Sequence, residues 1–578
     1  MKDTVITTNP ALCHDCYRCV RNCNVKAIRV KEGQAQIVPE LCIVCGTCVR
    51  ICPQKAKEVQ TAKQEILAAL KAGRQVIASV APSAPACFPI QSFSQMEEAL
   101  KALGFYAAEE TAVGAEIVAL AHREYVEQAP DQRPVITSSC PVVVNLIEQY
   151  YPDLIPHLAP IVSPMIAHGR ILGKKYGPEA FIVFVGPCIA KMQESRAEAL
   201  SGAIHAAMTF AELQVWLTEA GVAWDAPEGT GEKQTPGAKP APEKARLFPL
   251  EGGLVGTARL STDLLGERMV VASGLDACQD TLEDIRTGML QADLVELMAC
   301  KGGCINGPRS GNEEGGISLA RQRILEFHSR RQPGIQLPRD QWPPLERILR
   351  DRQVPVQTFS EEQIREVLHR VNKYTPDDEL NCGACGYSSC REKAVATLRG
   401  MAELTMCIPY MRRRSESLRQ VVMDVAPDSI LIVDNALAIQ DMSPSMERLF
   451  HCKLADVVGQ PLASLFIAVE DFLRVRDTGL PVIGKVRQLT ENVIVEQTIV
   501  RVEKQSLLVA ILRDITEREK ERKKFESLRE ETLERTREVV GKQMRVAHEI
   551  AQLLGETTAE SKMIVSHLAK LLQGEGKK

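Results

Sequence analysis

The residues best suited to chemistry in this sequence are cysteines, and four of them lie in three short, separate motifs. Cys300 and Cys304 flank a glycine pair in ELMACKGGCINGP, Cys140 lies in ITSSCP, and Cys188 lies in VGPCIAKMQE. Thiolates are good ligands for iron and zinc, and glycine lets the backbone fold closely around a bulky inorganic centre. Since two sulfurs do not complete a metal site, we expect the four thiols to form one buried site, called the central site below. The alternative is four ordinary buried thiols, because free cysteine is among the most buried residue types.

Eight further cysteines form two tandem runs near the N-terminus, Cys13-x2-Cys16-x2-Cys19-x3-Cys23 and Cys42-x2-Cys45-x2-Cys48-x3-Cys52. This doubled spacing is typical of ferredoxins with two 4Fe-4S clusters, in which the fourth cysteine of each run ligates the other cluster. We therefore expect a first ferredoxin site of Cys13, Cys16, Cys19 and Cys52, and a second ferredoxin site of Cys42, Cys45, Cys48 and Cys23. Zinc is the alternative metal, since four thiolates also suit it.

A third group, called the Cys382 site, consists of Cys382-x2-Cys385-x4-Cys390 and the more distant Cys407. Gly383 and Gly386 would let its loop wrap around a metal. The spacing resembles a small 4Fe-4S domain of corrinoid iron-sulfur proteins, and zinc again remains the alternative.

The central cysteines need elements that bring them together. The apolar runs Val135-Ile136 and 181–185 precede Cys140 and Cys188, and 75–86 is predicted to be a buried strand that enters a loop. Sites of parallel α/β sheets lie at the carboxyl ends of their strands. We therefore expect Cys140 and Cys188 at strand ends in two lobes, with Cys300 and Cys304 on a loop that closes the site.

Composition narrows the class of protein. At 578 residues the chain should hold several domains. A net charge of -4 and 4% aromatic residues give no reason to expect nucleic-acid binding. No run of about 18 apolar residues predicts a membrane span, and no secretion signal is evident, so we expect a cytoplasmic location and metal ligation rather than disulfides.

TSSCP, GPCIAKMQE and ELMACKGGCINGP together resemble the three H-cluster motifs of iron-iron hydrogenases, in the order and approximate spacing of that family. The resemblance implies that the central site holds a 4Fe-4S cubane, and that Cys304 also bridges to a two-iron subcluster carrying carbonyl, cyanide and a dithiolate. Lys191 would donate a charge-assisted hydrogen bond to cyanide, and Met298 would form an apolar wall.

The departures from the family pattern concern proton transfer. Ser139 stands where catalytic members have a cysteine that gives a proton to the open iron, and Gly186 replaces a pocket methionine. His122, Tyr125 and Ala159 align with the glutamates and the serine of the family's proton relay. A hydroxyl is a far weaker acid than a thiol, so the resemblance implies slow turnover.

The expected fold is multidomain: a ferredoxin-like α+β domain, a two-lobed α/β hydrogenase domain, a small four-cysteine iron-sulfur domain, an α+β PAS domain and a C-terminal helical coiled coil. The segment APDSILIVDNALAIQDMSPSMERLF, with VVGQPL and RDIT beyond it, resembles a PAS domain, and apolar residues near heptad positions predict the coiled coil. The boundaries are 1–62, 63–345 with a flexible insertion at 225–245, 372–412, 418–515 and 516–578.

These features favour a hydrogen-binding, low-turnover hydrogenase that senses H2 or redox state and reports through the PAS domain and the coiled coil. Two alternatives remain: a catalytic ferredoxin-linked hydrogenase, and an iron-sulfur electron-transfer or redox-sensing protein without a two-iron centre. The implied cofactors are two ferredoxin 4Fe-4S clusters, the H-cluster and one further 4Fe-4S cluster. The implied partners are H2, ferredoxin-like electron carriers, hydrogenase maturation proteins, a serine/threonine kinase or phosphatase, and a second copy of the chain.

Overall fold

A computed structural model describes the chain in two units, residues 1–411 and 412–578, and each is treated by itself. The described residues are 5–128, 132–222, 224, 244–260, 268–311, 315–330, 337–355, 357–465, 469–502, 506–554 and 558–573. Residues 225–243 of the expected insertion therefore lie outside them. No helix in the described part of the chain is long and apolar enough to cross a membrane.

The N-terminal region is a repeat of two short helices and two small antiparallel strand pairs. Its elements are β1 (Ile6–Thr8), α1 (Arg18–Arg21), β2 (Ile28–Lys31), β3 (Gln34–Ile37), α2 (Thr47–Ile51) and β4 (Lys57–Val59). Strand β1 pairs with β4, and β2 pairs with β3. Each helix begins after a left-handed residue, Tyr17 at φ 52° and Gly46 at φ 73°, which turns the cysteine loop into the helix.

The hydrogenase-like region contains two parallel sheets covered by helices. Its elements are α3 (Lys63–Lys71), β5 (Val76–Val80), α4 (Ala84–Cys87), α5 (Phe93–Ala102), β6 (Ala107–Glu110), α6 (Ala112–Gln128), β7 (Val135–Ile136), α7 (Pro141–Tyr150), α8 (Pro164–Tyr176), β8 (Phe181–Gly186), α9 (Ala190–Ser195), β9 (Ala206–Thr209), α10 (Phe210–Glu219), α11 (Gly253–Thr257), β10 (Met269–Ser273), α12 (Leu275–Arg286), β11 (Leu294–Met298) and α13 (Ile317–Ser329). The strand orders are β6-β5-β8-β9 and β10-β11-β7. Every residue of β5 and β11 is buried, as expected for parallel strands covered on both faces.

The chain then crosses this region as an extended strap. Val162 N donates to Leu345 O at 2.8 Å, Arg347 N to Pro160 O at 3.0 Å, and Val354 N to Gln149 O at 3.0 Å. The strap thus continues to bind this region up to residue 354, nine residues beyond the boundary expected at 345.

Three helices follow, α14 (Glu361–Arg370), α15 (Cys390–Leu398) and α16 (Ile408–Val425). Ser360 and Gln363 form a capping box that fixes the start of α14. Helices α14 and α15 pack through Val367, Leu368 and Ala394.

The second unit contains a five-stranded antiparallel sheet and two long helices. Its elements are β12 (Ser429–Asp434), β13 (Ile439–Met442), α17 (Pro444–Phe450), α18 (Leu454–Val457), α19 (Glu470–Thr478), β14 (Val482–Thr490), β15 (Val493–Val502), β16 (Leu507–Asp514), α20 (Thr516–Leu554) and α21 (Thr558–Gln573). The strand order is β13-β12-β16-β15-β14, and its core includes Phe472, Ile499 and Leu512.

Candidate metal centre

The four cysteines of the central site follow three strand ends of the two parallel sheets. Cys140 lies four residues beyond β7 and caps α7, while Cys300 lies two residues beyond β11, which pairs with β7. Cys188 lies two residues beyond β8 of the other sheet. Cys304 begins a single 3-10 turn that follows the glycine pair. Cys140 and Cys188 therefore follow the carboxyl ends of strands in different sheets, and Cys300 and Cys304 lie on the loop after β11.

The four sulfurs face one another closely enough for their charges to interact. Burial, together with the charge of Cys140, raises the pKa of Cys188 to about 11. Burial also raises the pKa of Cys300 and Cys304, and for both the charges of Cys140 and Cys188 add to the rise. A metal centre must displace these thiol protons, so the buried donor set suits a multi-iron cluster that shares its charge among several thiolates.

The loop between Cys300 and Cys304 depends on glycine. Gly303 has φ +98°, and a Cβ there would overlap the carbonyl oxygen of Pro249. Gly302 has φ +77°, and its N–H donates to Ser273 Oγ at 3.0 Å. No larger residue fits Gly303 unless the backbone moves, which explains the glycine pair in the motif.

Lys191 is held beside these thiols by a buried ion-pair network. Its Nζ donates to Glu194 Oε2 at 2.7 Å and lies 3.5 Å from the carbonyl oxygen of Ser139. Arg347 Nη1 on the strap donates to Glu194 Oε1 at 3.0 Å, and Ser163 Oγ donates to Glu194 Oε2 at 3.0 Å. Burial alone would raise the pKa of Glu194, but the charges of Lys191 and Arg347 lower it overall. Glu194 thus fixes Lys191 as a buried cation.

Two other residues predicted for the site adjoin central cysteines in the sequence: Ser139 precedes Cys140, and Met298 lies two residues before Cys300. Ser139 Oγ is buried and has no hydrogen-bond partner among the described residues, and Met298 is buried at the end of β11. Buried hydroxyls normally find a partner. An unpaired hydroxyl, a buried ammonium and four facing thiols fit an anionic iron-sulfur centre with polar ligands.

His122, Tyr125 and Ala159, which the resemblance aligns with the family's proton relay, make separate local contacts. Burial lowers the pKa of His122 to about 4, so this imidazole is neutral. Its Nδ1 donates to Val118 O at 2.7 Å, and Ser138 N donates to its Nε2 at 3.3 Å. Tyr125 instead donates to Gln132 at 2.6 Å, and Ala159 is a buried apolar residue. His122 therefore supports the loop before Cys140 and carries no exchangeable charge at neutral pH.

Three neighbours of the site were missed by the sequence analysis. Burial raises the pKa of Glu296 to about 7 although Leu254 N and Val255 N donate to its carboxylate. Cys278 is fully buried, and burial followed by the charge of Cys140 raises its pKa to about 12. Glu194 could have been found as a carboxylate three residues after Lys191, and Glu296 as a carboxylate within the apolar strand LVELM.

Among the ferredoxin cysteines, Cys23 of the first run interacts with cysteines of the second run. Burial and then the charge of Cys45 raise the pKa of Cys23 to about 11, which places Cys23 of the first run with the second. Burial raises the pKa of Cys42 to about 12, with added effects of Cys45 and Cys23. Backbone N–H groups of Ala27 and Val44 donate to Cys23 and Cys42 at 3.3 and 3.4 Å. Such N–H donors stabilise sulfur that carries negative charge.

The second ferredoxin site lies against the central site. A Cβ on Gly46 would come within 2.7 Å of Pro308 and 2.8 Å of Ile189, which belong to two of the central motifs. Arg50 donates to Asn306 O at 3.4 Å. The two sites therefore approach each other through short loops.

The cysteines of the Cys382 site line one pocket, together with Lys393 and Tyr387. Lys393 is buried, and burial lowers its pKa although the charges of Cys407, Cys385 and Cys390 oppose this. Among the described residues, at this site or any other, no group of three or more His, Cys, Asp or Glu side chains is arranged to hold a single metal ion.

Comparison with known proteins agrees with this arrangement. The family model of the iron-only hydrogenase large subunit, C-terminal domain, matches residues 74–308. A 4Fe-4S dicluster domain matches 5–63, and a model of an Fe-S cluster domain matches 378–409.

Among curated relatives, the periplasmic [Fe] hydrogenase large subunit of Nitratidesulfovibrio vulgaris is 30% identical over 361 residues, which cover 52% of this chain and 85% of that protein. Iron hydrogenase 1 of Clostridium pasteurianum is 26% identical over 286 residues, which cover 40% of this chain and half of that enzyme. A solved variant of the [FeFe]-hydrogenase from Chlamydomonas reinhardtii is 19% identical, covering 50% of this chain and 91% of that chain with a TM-score of 0.36. The chain therefore belongs to the iron-only hydrogenase large-subunit family and carries a ferredoxin-type 4Fe-4S domain ahead of its hydrogenase domain.

Proposed function

We propose that the chain binds H2 at an H-cluster held by Cys140, Cys188, Cys300 and Cys304, turns over slowly, and acts as a sensor of H2 or redox state. The observation that supports this proposal is that the four thiols and the lysine expected of the motifs are all present, whereas the residues expected for proton transfer are replaced. Ser139 provides a hydroxyl in place of a thiol, His122 is neutral, and the side chain of Ala159 has no exchangeable proton. When bound, the H-cluster would supply the iron at which H2 is split heterolytically.

The chain's own residues have separable roles in this proposal. The four thiolates would hold the cubane, and Cys304 would also serve as a ligand of the two-iron subcluster. Lys191, fixed by Glu194 at 2.7 Å, would donate a hydrogen bond to a cyanide ligand in this buried pocket, where such a bond is strong. Met298 excludes water from the same pocket. The hydroxyl of Ser139 orients a proton at its Oγ but is too weak an acid to pass it on quickly.

The C-terminal unit supplies the output in this proposal. The order β13-β12-β16-β15-β14 supports a PAS domain, which commonly relays a signal or dimerises. Apolar residues on α20 support a coiled coil with a second copy of the chain, since Phe525, Leu528, Val539, Val546 and Ile550 are each at least half exposed. A serine/threonine kinase or phosphatase would read this unit, and ferredoxin-like carriers would exchange electrons with the N-terminal sites.

A catalytic hydrogenase is the second candidate. The unpaired, buried Ser139 Oγ favours it, because a water bound there would replace the thiol as a proton relay.

Infrared spectroscopy on the full-length chain, expressed with hydrogenase maturation proteins, tests the proposal. Bands of carbonyl and cyanide are expected, and their absence would leave an iron-sulfur redox protein without a two-iron centre. Cys304→Ser should remove the bands, whereas Cys452→Ser in the C-terminal unit should leave them unchanged. Rapid hydrogen evolution by the matured chain would favour the catalytic enzyme over the sensor.

A further inference from the structure

The Cys382 site is joined to the ferredoxin-like domain by a dense contact. Val30 N donates to Met401 O at 2.9 Å, and Lys26 Nζ donates to Gly386 O at 2.8 Å. Arg21 donates to Ala384 O and to Cys16 O, both at 3.0 Å. One guanidinium therefore ties the loop of the Cys382 site to the loop of the first ferredoxin site.

Tyr387 lies inside this contact. Its side chain is 3% exposed and packs in a small apolar core with Cys19, Val20 and Met406. Cysteines of all three sites pack against that same core, namely Cys13, Cys23, Cys48 and Cys385. The Lys26 ammonium lies 5.9 Å from the centre of the Tyr387 ring. The Tyr387 ring is thus the buried aromatic side chain of a core that cysteines of the Cys382 site and of both ferredoxin sites contact.

The hydroxyl of Tyr387 does not explain this position. It is buried and has no hydrogen-bond partner among the described residues. An unpaired buried hydroxyl costs about 1–3 kcal/mol, so a phenylalanine would pack at least as well there. The ring itself, rather than its hydroxyl, makes the contacts.

Gly386 sets how closely the two domains approach. Its φ is +96°, and a Cβ there would lie 2.9 Å from Val20 and 3.2 Å from the backbone nitrogen of Arg21. Gly383, two residues before Cys385, also has a positive φ of +68°, but a Cβ there would meet only Tyr387 O, at 3.9 Å. The two glycines share the same backbone strain, and only Gly386 touches the other domain.

We propose that Tyr387 is the coupling residue through which the Cys382 site exchanges electrons with the second ferredoxin site, so that the electron path from the central site branches there. The inference rests on the proposed function for its iron-sulfur sites. The second ferredoxin site lies against the central site through Gly46 and Pro308, and Cys23 of that site packs against the core that holds Tyr387. One electron moves: a reduced cluster at the second ferredoxin site is oxidised, an oxidised cluster at the Cys382 site is reduced, and no bond forms or breaks.

In the sequence, the Cys382 site is followed directly by α16 and then by the strands of the C-terminal unit. Cys407, the last cysteine of the Cys382 site, immediately precedes α16, and α16 ends four residues before β12. A change of charge at the Cys382 site therefore acts on the first turn of that helix. An electron path to this helix would give the Cys382 site a role in signal output. Electron exchange with an external carrier would not require such a site.

The test uses the full-length chain reconstituted with iron and sulfide and reduced with dithionite, so the two-iron subcluster is not needed. Electron paramagnetic resonance should show magnetic interaction between the reduced Cys382 cluster and a ferredoxin cluster. After flash reduction, Tyr387→Leu should slow electron arrival at the Cys382 cluster several-fold, whereas Tyr387→Phe should keep the original rate. Gly386→Ala should weaken the magnetic interaction, and the matched control Gly383→Ala should retain it.

Three results would overturn the inference: no magnetic interaction in the unaltered chain, an unchanged rate in Tyr387→Leu, or zinc in place of iron at the Cys382 site. Retained cluster signals in each variant establish that the domains are folded. Missing carbonyl and cyanide bands in matured protein would refute the proposed function, but they would not change the result of any of these measurements.

Discussion

Glu194 is the residue whose removal should reveal most about the central site. Its side chain is 2% exposed, and its carboxylate is the common acceptor for Lys191 at 2.7 Å and Arg347 at 3.0 Å. Glu194→Gln keeps the size of the side chain but leaves two buried cations without a counter-charge. Breaking a buried ion pair in this way costs about 3–5 kcal/mol. Since a domain has about 5–15 kcal/mol in total, the hydrogenase domain should remain folded but be much less stable.

Urea unfolding followed by tryptophan fluorescence measures this loss. All three tryptophans, Trp216, Trp224 and Trp342, belong to the hydrogenase domain, so the signal reports on that domain alone. Glu198→Gln is the matched control, because Glu198 is exposed and lies four residues further along the chain. A loss below about 1 kcal/mol, no larger than that of the control, would refute the reasoning.

The pH dependence gives a second check on the same carboxylate. The folded-state pKa of Glu194 is lowered, so its stabilisation is present above the unfolded pKa of 4.5 and is lost as the pH falls through the folded value. The unaltered chain should therefore lose stability below about pH 4.5, and Glu194→Gln should lose less over that range. In a double-mutant cycle, Lys191→Met combined with Glu194→Gln should cost less than the sum of the two single changes.

Three further predictions concern the same region. Ser139→Cys should raise hydrogen evolution by the matured chain, because a thiol is a better acid than the hydroxyl it replaces; an unchanged rate would place the proton defect elsewhere. Burial raises the folded-state pKa of Glu296 from 4.5 to about 7. Its contribution to the free energy of unfolding is therefore fully present below pH 4.5 and is lost as the pH rises through 7. In urea titrations Glu296→Gln should reduce this pH-dependent loss, by about 3 kcal/mol at most. Gly303→Ala should destabilise the domain by about 1–3 kcal/mol and lower the iron bound per chain, because its Cβ would overlap Pro249 O. Gly256→Ala, where a Cβ meets nothing within 4 Å, should do neither.

Much of the chemistry of the cysteine sites was predictable because ligand chemistry depends on residue type and spacing. The doubled x2, x2, x3 runs predicted Cys23 to group with the second run, and the charge interaction of Cys23 with Cys45 agrees. The strand runs before Cys140 and Cys188 were also predictable, since short apolar runs bounded by turn residues favour buried parallel strands. Ser139 and Lys191 were found in the same way, by their position within a motif.

Contacts between distant segments were not predictable. Arg347 reaches Glu194 because the chain continues as a strap along α7 to residue 354, beyond the domain boundary expected at 345. Nothing in the local sequence of Glu296 shows that the first N–H groups of α11 donate to it. These pairings depend on how separate elements pack, which no periodicity within one element records.

The sequence by itself determined the chemistry of this protein: sixteen cysteines in four groups of four, a lysine beside one group, and a serine where a thiol would pass protons. Only the tertiary structure decided how the groups are arranged relative to one another. It placed the second ferredoxin site against the loop after Cys304 and buried Tyr387 among cysteines of three sites. The physical reason is that ligand type and spacing are local properties of the chain, whereas the distances between metal sites follow from the packing of domains that meet only after each has folded.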